Sequence, residues 1–271
     1  MNRIDQIFSD LRARGGKALM PFVTAGDGGL ETTGQVLAAM QAGGASICEV
    51  GIPFSDPVAD GPVIQASMMR ALEAGTTVEQ VFEKIASLRS SLSVGLVAMV
   101  SYSIVYRLGL ERFVSEAKAA GFDGFIFPDL PLGEAGDARA AAREAGLILS
   151  MLVAPTTPIE RAKEIAAASS GFVYVVARSG VTGERAALAE DLPGRLAALR
   201  TVTDAPLAVG FGVSSAQQVG QIVQTADAAI VASALIRRMQ EVVEQGGDPV
   251  QEAERFTRDL ATGLVGSAGR V

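Results

Sequence analysis

Ser46-Ile47-Cys48-Glu49-Val50-Gly51-Ile52-Pro53-Phe54 reads as a short strand that runs into a proline-restricted turn. Glu49 is its only charge. Comparable apolar runs begin near Leu19 (LMPFV), Gly95 (GLVAMV), Gly124 (GFIF), Leu147 (LILSML), Phe172 (FVYVV), Pro206 (PLAVG) and Ala228 (AAIVA). Several are apolar at nearly every position, the pattern of strands covered on both faces. Segments with helical spacing lie between them, such as Thr33 to Ala42, Leu110 to Ala120 and Glu134 to Ala145. Gly43, Gly121 and Gly146 stand where C-terminal caps would. Eight strand–helix units in one chain predict a closed parallel (β/α)8 TIM barrel. The alternative is an open doubly wound sheet, and no Gly-x-Gly-x-x-Gly turn after the first strand supports it. An extra N-terminal helix, roughly Ile4 to Arg14, precedes the barrel; it could plug the bottom, which the sequence alone does not show. No long polar linker divides the chain, so residues 1–271 are expected to form a single domain.

The bulk numbers narrow the function. The 271 residues are 49% hydrophobic, with 30 glycines, which is enough apolar material for one large core. A net charge of −7 argues against a general nucleic-acid or anionic-membrane surface. A phosphate would have to be held locally, by backbone N–H groups or a few placed side chains. The lone Cys48 rules out an intrachain disulfide and reads as a buried thiol. There are no histidines, which removes His-based triads and His-containing zinc sites and leaves acid–base work to Asp, Glu, Tyr or Lys. No signal-like N-terminus or membrane-length apolar run is present, so a cytoplasmic protein is expected.

In such barrels chemistry sits where strands run into the following loops. Alternation puts Ile47 and Glu49 on one face and Cys48 and Val50 on the other. A buried carboxyl must be paired, hydrogen-bonded or held protonated. Two readings of Glu49 stand: a tuned acid–base group, or a structural carboxylate bonded to backbone. Asp56 and Asp60, in the loop Phe54 to Pro62, either approach the mouth or serve as ordinary turn residues. The loop Arg178-Ser179-Gly180-Val181-Thr182-Gly183-Glu184-Arg185 is either a water-excluding lid or a plain surface loop. Gly210-Phe211-Gly212-Val213-Ser214 and Ala232-Ser233-Ala234, at the last two strand ends, fit a phosphate cradle, and glycine is also common at tight strand ends.

Taken together these stretches resemble the tryptophan synthase alpha subunit family. Leu19 to Asp27, Glu49 to Pro62, Phe127-Pro128-Asp129-Leu130-Pro131, Ala154 to Pro158, Arg178 to Gly183 and Val209 to Ser214 carry the likeness, in order, over nearly the whole chain. The stretch from Glu49 to Pro62 is the most specific.

The resemblance implies retro-aldol cleavage of indole-3-glycerol phosphate to indole and glyceraldehyde 3-phosphate. It implies Glu49 as the general acid–base and Asp60 as the carboxylate facing the indole N–H. By the same likeness, Phe22, Met99, Ile126 and Leu152 line the indole pocket, Tyr174 stands near the acid–base residue, and Thr182 is the lid threonine that meets the aspartate on closure. Gly183, Phe211, Gly212, Ala232 and Ser233 belong to the phosphate end. It further implies a β subunit that uses pyridoxal phosphate, an α2β2 tetramer, a role for Asp56 in reporting to that partner, and no cofactor or metal in this chain. Two stretches depart from the family pattern: Met99-Val100-Ser101-Tyr102-Ser103 replaces Met-Thr-Tyr-Tyr-Asn, and Ala232-Ser233 replaces Gly-Ser. A stand-alone indole-glycerol-phosphate lyase and a catalytically silent regulatory partner of a β subunit are the alternatives. An isomerase acting on another phosphorylated sugar is more distant.

Overall fold

The computed structural model describes residues 1–56, 60–177, 192–210 and 212–267. Its strands are β1 (Ala18–Thr24), β2 (Ile47–Gly51), β3 (Gly95–Met99), β4 (Gly124–Ile126), β5 (Ile148–Ser150), β6 (Leu152–Val153), β7 (Val173–Val176), β8 (Leu207–Gly210) and β9 (Ala228–Val231). All pairings are parallel, in the order β5-β4-β3-β2-β1-β9-β8-β7-β6. The two ends of that order are one stretch of chain broken at Met151. The sheet therefore closes through the chain itself, and the eight expected strand positions form a barrel. The seam is stitched by Ser170 N–H to Leu149 O at 3.0 Å and Tyr174 N–H to Met151 O at 3.1 Å.

Helices separate the strands. After α1 (Arg3–Ala13) and β1 comes α2 (Leu30–Ala42), and after β2 come α3 (Pro62–Glu73) and α4 (Val78–Leu88). α5 (Tyr102–Leu108) and α6 (Leu110–Ala120) follow β3, α7 (Gly136–Ala145) follows β4 and α8 (Ile159–Ala168) follows β6. α9 (Leu192–Arg200), α10 (Ala216–Ile222), α11 (Ser233–Glu244) and α12 (Pro249–Ala261) complete the ring. Local sequence explains several boundaries. Thr77 and Gln80 start α4 with a reciprocal capping box, which satisfies two backbone N–H groups. Gly121 and Gly146 end α6 and α7 in the left-handed conformation, as expected. Gly43 differs: it stays right-handed at φ −74°, and the positive φ falls on Gly44. A Cβ on Gly43 would lie 2.7 Å from Thr257 Cβ, so glycine there permits close packing of α2 on α12.

Strand alternation divides the core in two. Leu19, Val23, Cys48, Val50, Leu96 and Ala98 pack outward against the helices. Met20, Ile47, Val97, Ile126, Ile148, Tyr174, Ala208 and Ile230 fill the barrel interior. That interior also receives Ile4, Phe8 and Leu11, which share one face of α1. Ile4 Cδ1 fills the space that a side chain on Gly95 would need, and the Phe8 and Phe172 rings are 6.0 Å apart. Asn2 accepts from Ile4 N–H at 2.8 Å and donates to Asp123 O at 2.8 Å and Gly146 O at 2.9 Å. The N-terminal helix thus plugs the bottom, and the open end is the one where strands run into their loops.

Candidate active site

β2 carries Glu49 into the barrel interior. The register sets it between Phe22 of β1 and Val97 of β3. It is 0% exposed, and neither carboxyl oxygen has a hydrogen-bond partner among the described residues. A structural carboxylate would need such donors, so this geometry favours the acid–base reading. Burial alone pushes its pKa from 4.5 up to about 8. Cys48, one residue back, faces the helices and is buried as a free thiol.

Asp60 is half-buried at the start of the turn into α3, and burial raises it from 3.8 to about 6. The two carboxyl groups share a neighbour: the buried Tyr174 phenol is pushed well above its usual value by burial, then by Glu49, then by Asp60. Its hydroxyl reaches the end of β8, where a Cβ on Gly210 would lie 2.5 Å away. A Cβ on Gly51 would lie 2.7 Å from Phe22 Cε2, so Gly51 leaves the room that this ring occupies.

Above them opens a cavity of about 190 Å³, lined by Ile52, Phe54, Met68, Val100 and Pro128, with Asp56, Asp60, Met99, Ser101, Ser103 and Asp129. Asp60 and Met99 therefore line the mouth directly. Glu49, Phe22, Ile126, Leu152 and Tyr174 are not among the cavity's lining residues. The last three, with Met99, belong to the barrel-interior cluster. Asp56 is exposed at the rim and accepts from the Ser55 hydroxyl at 2.7 Å.

The expected phosphate end is only partly described. Gly212 follows β8 with φ 82°, and Ala232 and Ser233 link β9 to α11. The two strands are neighbours, so both turns open at the same end. Ala232 has φ −117°, which carries no penalty for a methyl group. Thr182, Gly183 and Phe211, with the whole loop Arg178 to Arg185, lie outside the described residues. Among the described residues no group of three potential metal-binding side chains occurs, and no helix is long and apolar enough to cross a membrane.

Sequence reasoning missed two features. Asp129 organises the mouth: its Oδ2 accepts the Ser101 hydroxyl at 2.6 Å and its Oδ1 accepts Tyr102 N–H at 2.7 Å. An acidic residue between two prolines at the end of β4 was the available signal. Thr24, which pairs with Gly51 two residues beyond the Phe22–Glu49 pair, is fully buried with no hydroxyl partner among the described residues. Nothing in its local sequence marks it.

Comparison with known proteins agrees with this geometry. A family model described as tryptophan synthase alpha chain matches residues 8–264. The tryptophan synthase alpha chain of Rhodopirellula baltica is 44% identical, covering 97% of this chain and 98% of the relative. That of a Synechococcus species is 48% identical, covering 86% and 87%. Among solved structures, the tryptophan synthase alpha chain from Legionella pneumophila superposes with a TM-score of 0.90 at 30% identity, covering all of both chains. A chain of the aminoacrylate-bound tryptophan synthase of M. tuberculosis gives 0.86 at 31% identity, covering 97% of this chain and 100% of the other.

Proposed function

The chain belongs to the tryptophan synthase alpha chain family, and on that premise we propose that it is a lyase that cleaves indole-3-glycerol phosphate into indole and glyceraldehyde 3-phosphate. Glu49 is the observation that carries the assignment of roles: a fully buried carboxyl with no hydrogen-bond partner among the described residues, inside the open end of a barrel. Retro-aldol cleavage needs a proton delivered to indole C3 and a proton removed from the adjacent glycerol hydroxyl. One carboxyl group can do both in turn and finish as it began. With a pKa of about 8, Glu49 is protonated at neutral pH and can donate to C3. The resulting carboxylate takes the hydroxyl proton as the carbon–carbon bond breaks. The bonding pair returns to the ring, and the aldehyde forms.

Protonation at C3 leaves positive charge on the ring nitrogen. Asp60, at about 6, is ionised at neutral pH and is the matching counter-charge for the N–H. Phe22, Met99, Ile126, Leu152 and Tyr174 form the wall of the ring site. Gly183, Phe211, Gly212, Ala232 and Ser233 hold the phosphate, and Thr182 closes over the site. The retained Glu49 and Asp60 favour this reading over a silent regulatory partner. We assign the chain to the cytoplasm, in an α2β2 assembly with a β subunit that holds pyridoxal phosphate. The α chain itself needs no cofactor.

The test is indole release from indole-3-glycerol phosphate, with and without a β subunit. Slow release alone and a large increase with β support the reading. Fast release alone indicates a stand-alone lyase, and no release from folded protein in either case rejects the assigned reaction.

A further inference from the structure

The polar groups around the mouth cavity are Asp56, Asp60, Ser101, Ser103 and Asp129, and among the described residues no lysine or arginine lines it. Their hydrogen bonds fix where the protons go. Asp129 accepts the Ser101 hydroxyl at 2.6 Å, so the single Ser101 proton is spent. Ser101 Oγ also takes Ser103 N–H at 3.3 Å. The remaining contact, Ser101 Oγ to Ser103 Oγ at 2.7 Å, must then have Ser103 as its donor. Both hydroxyl protons are consumed inside the cluster, and what remains towards a ligand is oxygen lone pairs.

Resting on the function proposed above, we propose that this cavity prefers indole rings that carry a hydrogen-bond donor, such as a hydroxyl, with Ser103 and Asp129 as the specificity-determining residues. The rest of the lining is apolar, including Ile52, Met68 and Met99, and suits a flat aromatic ring. A donor substituent meets a waiting acceptor. A substituent that can only accept meets lone pairs, and an anionic one meets three carboxyl groups with no cation among the described lining residues to offset them. Ser103 and Asp129 are exposed, so a ring seated in the cavity displaces their water, and an acceptor then left unmatched disfavours that ligand.

The experiment measures dissociation constants of indole, the 4-, 5-, 6- and 7-hydroxyindoles, the matching fluoroindoles and indole-5-carboxylate. It uses the full chain and its Ser103→Ala, Ser103→Thr and Asp129→Asn variants. At least one hydroxyindole should bind about tenfold more tightly than its fluoro counterpart. The gap should collapse in Ser103→Ala and persist in Ser103→Thr, and Asp129→Asn should relax the discrimination against indole-5-carboxylate. No hydroxy–fluoro gap in the unaltered chain, or a gap in Ser103→Ala as large as in the unaltered chain, overturns the proposal. Binding of the bare rings is read whether or not the phosphate ester is cleaved, so this proposal and the cleavage assignment fail separately.

Discussion

Glu49 and Phe22 are register partners across β1 and β2, a carboxyl group 0% exposed opposite an aromatic ring 2% exposed. The pairing gives the carboxyl an apolar neighbour where water or a cation would otherwise stabilise its charge. Chemistry and stability therefore pull against each other at this position.

Replacing the carboxyl by its amide separates the two. Glu49→Gln should lower turnover by at least about a hundredfold, because the proton carrier is gone. The same variant should be more stable at neutral pH. The folded-state pKa of about 8 lies above the unfolded 4.5, so the unfolded chain releases this proton first. The penalty is absent below about pH 4.5, grows as pH rises and levels off above 8, reaching about 3 kcal/mol at pH 7. Urea unfolding at pH 5 and pH 8 reads it. Near-normal turnover in a folded Glu49→Gln protein would sink the assigned role.

The pH–rate profile follows from both carboxyl groups. Glu49 must carry its proton and Asp60 must have lost its own. kcat/KM should therefore be bell-shaped, with limbs near 6 and 8. In Asp60→Asn the acidic limb should disappear from whatever activity remains. An unchanged acidic limb would assign it to another group.

Asp60→Asn should lose most activity yet still bind an analogue of the glycerol phosphate portion, because the proposed phosphate end lies at β8 and β9. Calorimetry with the analogue checks this. Loss of analogue binding along with activity would move Asp60 from chemistry to architecture.

Phe8→Ala should cost about 3–5 kcal/mol of stability while leaving the affinity for substrate nearly unchanged. Phe8 fills the closed end of the barrel against Phe172, and the proposed site lies at the other end. Urea titration and steady-state kinetics on the same preparation give both readouts. A large change in KM with intact stability would contradict the plug.

Much of this architecture was legible from residue order. The runs from Leu19 to Ala228 correspond to observed strands within about two residues, and Leu110–Ala120 is α6 end to end. The alternation that put Ile47 and Glu49 on one face and Cys48 and Val50 on the other is observed, because alternation along a strand is a local property, and the fold turned the Glu49 face inward. Other features were not legible. The break at Met151 arises where the fifth strand changes neighbours, and Gly43 is glycine because Thr257 approaches it from far along the chain. Ser101 and Ser103 stood out as departures from a family pattern, but their wiring to Asp129 needed the loop after β4 to be brought beside α5.

The sequence by itself determined the barrel, the extra N-terminal helix, the face that Glu49 shares with Ile47 and, by resemblance, the family. Periodicity, caps and motifs act over a few residues and survive in the linear text. Only the tertiary structure decided that Glu49 has no partner among the described residues, that Tyr174 feels both Glu49 and Asp60, and that five oxygen-bearing side chains line one mouth. Desolvation and hydrogen-bond saturation sum over groups that only folding brings together, and here they come from strands and loops up to the full width of the barrel apart in sequence.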